Sequence, residues 1–219
     1  MSATRPTSSV NGSPTMLERL IRRLFRKPVV YGDEFFGDAW FREWAMLDEV
    51  LAALIESEPG WRAVLDFGCG PGIMIDKMAA RGLDYIGCDY SAEARALYLR
   101  HFGQHPQRYV ASLDDALTRS FDLLLAFDVL EHMRDDEIVR LLGTVCGIPE
   151  LLFNISRTRG IPGHINLKSD RAWIAFMQRQ GCHFEEERTR RLRELYRQHR
   201  PGAPDQWDRN LFLFSRSTS

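Results

Sequence analysis

A chain of 219 residues, 44% hydrophobic and 27% charged, has the composition of one ordinary globular domain, long enough to bury about 70% of its unfolded surface without disulfide staples. Lys and Arg total 29 against 30 acids, a formal net charge of −1, which excludes a bulk attraction to nucleic acid. The cysteines Cys69, Cys88, Cys146 and Cys182 form no CxxC pair, which excludes a zinc knuckle, and no apolar run approaches the roughly 18 residues of a membrane span.

The N-terminus carries no apolar leader core, so the expected location is the cytoplasm. Residues 1–15 are rich in Ser, Thr, Pro and Gly and are expected to form a disordered tail. The next stretch, MLERLIRRLFRK, places Met16, Leu17, Leu20, Ile21, Leu24 and Phe25 on one helical face among five basic residues. Such a helix docks on its own domain, or lies through residues 16–27 on an anionic membrane surface. Tyr31, Phe35, Phe36, Trp40, Phe41 and Trp44 then precede an apolar helix ending near Ile55. The expected organisation is a tail (1–15), a helical lid or extension (16–57) and a catalytic domain (58–219).

From residue 62 short apolar runs alternate with longer amphipathic ones. The runs RAVLDF, DYIGCD, QRYV, FDLLLAF, ELLFNI, CHFEEE and LFLF predict seven strands, with helices around 72–81, 92–102, 130–142 and 169–180. No equally clear helical period separates the last two strands. The pattern predicts an α/β fold: a Rossmann-like, doubly wound, mostly parallel seven-stranded sheet with helices on both faces and an N-terminal helical extension.

The most informative segment is Val64–Gly72, VLDFGCGPG, a buried strand running into three alternate glycines ahead of a helix. In an open α/β sheet this first strand-to-helix turn is where nucleotides bind. A dinucleotide fingerprint needs G-x-G-x-x-G. Here the third glycine comes one residue early and Ile73 takes its place, which disfavours NAD. Asp66 precedes the loop, where a carboxylate suits the ammonium of a methionine moiety. Asp89 ends the second strand and can accept hydrogen bonds from both hydroxyls of a ribose, with Tyr90 beside the adenine.

VLDFGCGPG, IGCDYS and FDLLLAFDVLEHM resemble the first, second and fourth motifs of class I S-adenosylmethionine-dependent methyltransferases, over roughly residues 60–187. The resemblance implies an enzyme that transfers a methyl group from S-adenosylmethionine. It implies that Asp66, Gly68, Cys69, Gly70 and Gly72 cradle the methionine part of this cofactor and that Asp89 holds the ribose. Where the family often has an acid after the third strand, this chain has Ala111-Ser112-Leu113-Asp114. Ser112 and Leu113 are then the expected adenine contacts, and Phe127 completes the cofactor-binding set.

Asp128, Glu131 and His132 follow the fourth strand at i, i+3 and i+4, so on a helix they share a face. Two carboxylates and an imidazole suit a divalent metal, with His164 as a fourth ligand. This arrangement resembles the ubiquinone-pathway O-methyltransferases and small-RNA 2′-O-methyltransferases, which place a Glu-x-x-Glu-His motif and a later His at these positions. This chain has Asp where they have the first Glu. The same Asp-x-x-Glu spacing also reads as a helix capping box. His164 has a second candidate role as general base. The basic run Arg188–Arg200 reads either as a guide for an anionic acceptor such as RNA or a sugar phosphate, or as a solvated helix face, broken by Pro201-Gly202-Ala203-Pro204.

The leading expectation is methyl transfer to a small-molecule O- or N-acceptor. The fourth motif is not the Asn/Asp-Pro-Pro-Tyr type, which argues against DNA. The alternative is a cofactor-binding regulatory or partner protein without turnover.

Overall fold

A computed structural model describes residues 48–200 and 207–216. The expected tail, the helix over 16–27, the aromatic cluster 31–44 and the break at 201–204 lie outside the described residues. Helix α1 (Asp48–Glu56) is followed by β1 (Ala63–Phe67), α2 (Ile73–Ala80), β2 (Asp84–Cys88) and α3 (Ala92–His101). Then come β3 (Tyr109–Val110), α4 (Leu113–Ala116), β4 (Leu123–Phe127), α5 (Asp135–Thr144) and β5 (Glu150–Asn154). The chain continues with α6 (Asp170–Arg179), β6 (His183–Phe184), α7 (Glu186–His199), α8 (Trp207–Asn210) and β7 (Leu211–Ser215).

The seven strands form one sheet in the order β3-β2-β1-β4-β5-β7-β6. β1 pairs in parallel with both β2 and β4, and β7 runs antiparallel between β5 and β6. This is the doubly wound architecture that the strand pattern predicts. Because the winding reverses direction at β1, loops leaving β1 and β4 diverge to opposite faces and leave a crevice at their carboxyl ends.

Strand side chains alternate between two cores. Val64, Tyr85, Leu123, Leu125, Leu152 and Leu213 pack with α1, α2 and α7 on one face. Leu65, Ile86, Leu124, Leu151, Phe153 and Phe214 pack with α5 and α6 on the other.

Three expectations change in detail. The third strand is only Tyr109–Val110, because Pro106–Arg108 forms a 3-10 turn. The expected helix 130–142 is two pieces, a single 3-10 turn (Leu130–His132) and then α5. Met133 is extended between them, and the Glu137 carboxylate accepts the Arg134 N–H at 2.7 Å at the start of α5. The last two strands are separated by the 14-residue helix α7, whose narrow stripe of Thr189, Leu192 and Tyr196 is obscured in sequence by arginines.

Those arginines hold α7 to the domain. Arg188 binds Glu150 of β5 and, at 2.9 Å, Glu58 just after α1, while Arg191 also binds Glu58. Arg193 donates to the Leu211 carbonyl at 2.7 Å, and Arg197 reaches Asp208 at 2.8 Å. Arg188, Arg191, Arg193 and Arg197 of the basic run thus have partners within the domain. Burial pushes the Glu150 carboxyl up, but hydrogen bonds from Arg188 and Trp61 and the Arg188 charge outweigh it and hold Glu150 below the usual range. A depressed carboxylate stabilises above its unfolded-state pKa and loses that contribution as the pH falls through its folded value. Glu150→Gln is expected to cost about 1–3 kcal/mol at pH 7 in denaturant titration. The gap should close as the pH drops through the carboxylate range; a cost independent of pH would contradict this.

Candidate active site

The crevice is lined first by the glycine loop. Gly68, Gly70 and Gly72 have φ of 76°, 54° and 65°, the left-handed region that glycine occupies without penalty. A Cβ on Gly72 would stand 2.8 Å from Ile75 Cδ1 and 3.1 Å from the rings of Tyr98 and Tyr109. The three glycines offer no side chains to pack, so besides Cys69, which packs against the core, the loop is held through its backbone. The Gly68 and Cys69 N–H groups donate to the Cys88 carbonyl at 2.8 and 3.3 Å. Gly70 donates to Asp89 Oδ2 at 2.9 Å, and the Tyr109 hydroxyl donates to the Gly70 carbonyl at 2.9 Å.

Asp89 stands where β2 ends. Its Oδ1 accepts the Ser91 N–H at 2.8 Å while Oδ2 holds Gly70. A carboxylate offers about four acceptor positions, so both oxygens keep capacity for further donors. Burial pushes the Asp89 carboxyl above its ordinary pKa, disfavouring the ionised form, against the two backbone hydrogen bonds from Ser91 and Gly70. Tyr90, next in sequence, is 82% exposed, an aromatic face open to a ligand.

Asp66 lies on β1 across from β2, and its Oδ2 accepts the Tyr85 hydroxyl at 2.8 Å. Burial pushes the Asp66 carboxyl up to about 7, with the Tyr85 hydrogen bond opposing and the Asp89 charge adding to the rise. Ser112 is the N-cap of α4, where its Oγ accepts the Asp115 N–H at 3.2 Å. Leu113 packs against the second core, and the half-buried Phe127 meets Trp207 edge-on with ring centroids 6.1 Å apart.

The second half of the site follows β4. Val129 packs directly on the glycine loop, since a Cβ on Gly68 would come within 2.5 Å of Val129 Cγ2. Asp128 has φ 53°, a left-handed conformation rare outside glycine, and its N–H donates to the Asn154 carbonyl. Such backbone strain clusters at functional sites. Glu131 is fully buried. Its Oε1 accepts the Ser156 N–H at 2.8 Å, and its carbonyl accepts the Ile165 and Asn166 N–H groups. This residue thus ties the turn after β4 to the loop after β5. The 3-10 turn has Val129 at its N-cap, so Asp128 stands one residue ahead of the cap position rather than at it.

That tie brings His164 to His132, with ring centroids 4.7 Å apart in an edge-on arrangement. Glu131, His132 and His164 each offer a ligand atom, all within 4.8 Å of one another. Asp128 is not in this cluster, because its turn is not an α-helix and the three residues do not share a helical face. Its carboxylate acts on Glu131 instead: burial first and Asp128 second push the Glu131 carboxyl well up. Glu131 Oε2 is buried without a donor. Burial and the neighbouring His164 lower the ionisation of His132, favouring its neutral imidazole, against a hydrogen bond at Gly163. His164 Nδ1 lies 3.0 Å from the Thr158 carbonyl. Sequence reasoning missed Tyr85, Tyr109 and Ser156; the one available signal was two tyrosines in strand-like runs, whose hydroxyls must find partners when buried.

A family model described as a methyltransferase domain matches residues 38–147. An uncharacterized methyltransferase of Mycobacterium sp. (strain JLS) is 33% identical over 105 residues, 44% of this chain and 41% of that protein. A ubiquinone biosynthesis O-methyltransferase of Nitrosomonas europaea is 30% identical over 95 residues, 41% of this chain and 38% of the other. The match thus spans about two fifths of these curated relatives' length. The fold of magnesium protoporphyrin IX methyltransferase from Synechocystis PCC 6803, solved with bound S-adenosylmethionine, superposes with a TM-score of 0.54 at 14% identity, covering 94% of this chain and all (100%) of that one. The chain belongs to the methyltransferase family, with the class I, S-adenosylmethionine-dependent fold.

Gly72→Ala combines a positive φ with contacts of 2.8 and 3.1 Å. It is expected to lower stability by about 1–3 kcal/mol in denaturant titration. An unchanged midpoint would show that the loop relaxes freely.

Proposed function

We propose that this methyltransferase moves the methyl group of S-adenosylmethionine to an oxygen, or a nitrogen, of a small molecule held beside Glu131, His132 and His164. The observation that carries the reading is that cluster: two imidazoles and a buried carboxylate gathered at the exit of β4 and β5, beginning two residues beyond Val129, which contacts Gly68.

Asp66, Gly68, Cys69, Gly70 and Gly72 would hold the methionine part of the donor. The glycine cradle that a Cβ would fill, and a partly enclosed acid facing it, fit such a group. Asp89 would take the ribose hydroxyls on its spare acceptor positions, with Tyr90, Ser112, Leu113 and Phe127 around the adenosine. The donor supplies an electrophilic methyl on a sulfonium. The chain's own contribution is to hold the acceptor in line at about 3–3.5 Å and to exclude water. For a hydroxyl acceptor a proton must leave, and His132 or His164 is placed to take it. The low ionisation of His132 keeps a neutral imidazole available near pH 7.

A divalent cation fits the same donor set, since carboxylate and imidazole are its common ligands. Glu131, His132 and His164 would hold it, and it would polarise an acceptor hydroxyl. The name of the Nitrosomonas relative, an O-methyltransferase, supports an oxygen acceptor.

Transfer of labelled methyl to vicinal-dihydroxy and amine acceptors tests the reading, with magnesium, manganese or zinc present and again in excess chelator. His164→Ala is expected to lower turnover by about 10²-fold or more while affinity for S-adenosylhomocysteine is kept. If a cation is held, chelation produces a similar loss. Turnover that survives both treatments would remove the cluster from the acceptor site.

A further inference from the structure

Tyr85 is a fully buried tyrosine in the middle of β2, and the recorded partner of its hydroxyl is the Asp66 carboxylate, 2.8 Å away. The two meet because β1 and β2 are parallel neighbours with Val64 opposite Tyr85 and Asp66 opposite Gly87. Val64, Asp66, Tyr85 and Gly87 therefore all face the same side of the sheet. Gly87 leaves room on that side: a Cβ there would stand 2.6 Å from Ile75 Cδ1 and 2.8 Å from Cys69 Sγ. The glycine loop packs into that space, above the pair.

The groups facing Asp66 are Tyr85 from β2, Asp89 and Cys88 from the end of β2, and Cys69 from the glycine loop. None is a cation. Two neighbouring carboxylates, Asp66 and Asp89, thus share a poorly solvated crevice. A carboxylate in such a place tends to take up a proton unless a donor or a positive charge holds it ionised. Among the described residues the direct side-chain donor to Asp66 is the Tyr85 hydroxyl.

We propose that Tyr85 is a positioning residue for the methyl donor, its hydroxyl fixing the Asp66 carboxylate in the orientation and charge state that receive the donor's ammonium. The inference rests on the cofactor assignment above and goes beyond it by naming the residue that prepares the acid. Binding then releases a proton from whatever fraction of Asp66 is neutral, and the ammonium takes over the role of counter-charge. Near pH 7 that fraction is about one half, because Asp66 is pushed up to about 7. Affinity should fall by up to about tenfold per pH unit below this point. Removing the hydroxyl removes the group that opposes the rise, so the fall should begin at higher pH.

Calorimetric titration of S-adenosylhomocysteine from pH 6 to 8.5, in two buffers of different ionisation enthalpy, reads both affinity and protons released. Tyr85→Phe keeps the buried ring, so a purely packing role would leave both quantities where they are in the wild type. The expected result is an affinity about 5- to 10-fold weaker at pH 7, converging toward wild type at pH 8.5, with close to one proton released at pH 7 instead of about half. A pH profile and proton count identical to wild type overturn the proposal. Asp66→Asn provides a second arm if Tyr85→Phe does not fold: a weak, pH-independent affinity supports the proposal, and a retained pH dependence overturns it. Wild-type protein that binds no S-adenosylhomocysteine at any pH would overturn the cofactor assignment and this inference with it, an outcome distinct from binding with an unchanged profile.

Discussion

The glycines at alternate positions of the loop give it few side chains with which to anchor itself, so much of its shape must be imposed from outside. Here the anchor is the end of β2. The Cys88 carbonyl takes two N–H groups of the loop, and the Asp89 carboxylate takes a third from Gly70. Tyr109, at the start of β3, closes the circuit on the Gly70 carbonyl. The parallel register of β1 with β2 is what brings these groups into range, and β3 is paired with β2 just where its tyrosine is needed. The loop, the acid expected to hold a ribose, and the helix that follows are consequently one mechanical unit. The same acid that shapes the empty loop keeps acceptor positions for a ligand, so a change at Asp89 acts on both.

The acceptor side depends on a comparable tie. Glu131 uses its side chain on Ser156 and its carbonyl on Ile165 and Asn166, stitching the exit of β4 to the loop after β5. His132 and His164 are 32 positions apart in sequence, and this stitch is what sets their rings together. Asp128 contributes by accepting a backbone conformation that most residues avoid, which ends β4 sharply and turns Val129 onto Gly68. Through that contact the two halves of the crevice share a wall. Among the described residues, the titratable groups facing Asp66 are Tyr85, Asp89, Cys88 and Cys69.

Much of this was legible in the sequence. Alternation and apolar runs gave all seven strands, and the glycine spacing distinguished this loop from a dinucleotide site. Strand ends were less legible, because proline at 106 and the acids at 185–187 convert strand-like residues into a 3-10 turn and a helix start. The break between Leu130–His132 and α5 was also hidden, although Asp135-Asp136-Glu137 is the acidic first turn of a new helix. Treating that region as one helix added Asp128 to Glu131, His132 and His164, whereas the cluster forms from the last three alone. The basic run after residue 188 illustrates a different limit. Sequence shows six arginines, but only the fold reveals that Glu58, Glu150 and Asp208 stand waiting for them. Tyr85 was hidden for the same reason: its partner lies 19 residues away on a neighbouring strand.

The central claim is that the crevice at the β1 and β2 exits binds an adenosyl donor through Asp89. Titrating S-adenosylhomocysteine into the wild type and Asp89→Ala at one pH, with NADH as a control, tests it most directly. The account predicts micromolar binding to the wild type, at least about tenfold weaker binding to the variant, given charged hydrogen bonds of roughly 1.5–3 kcal/mol each, and no binding of NADH. A folded wild type that ignores S-adenosylhomocysteine, or a variant that binds it equally well, would contradict it.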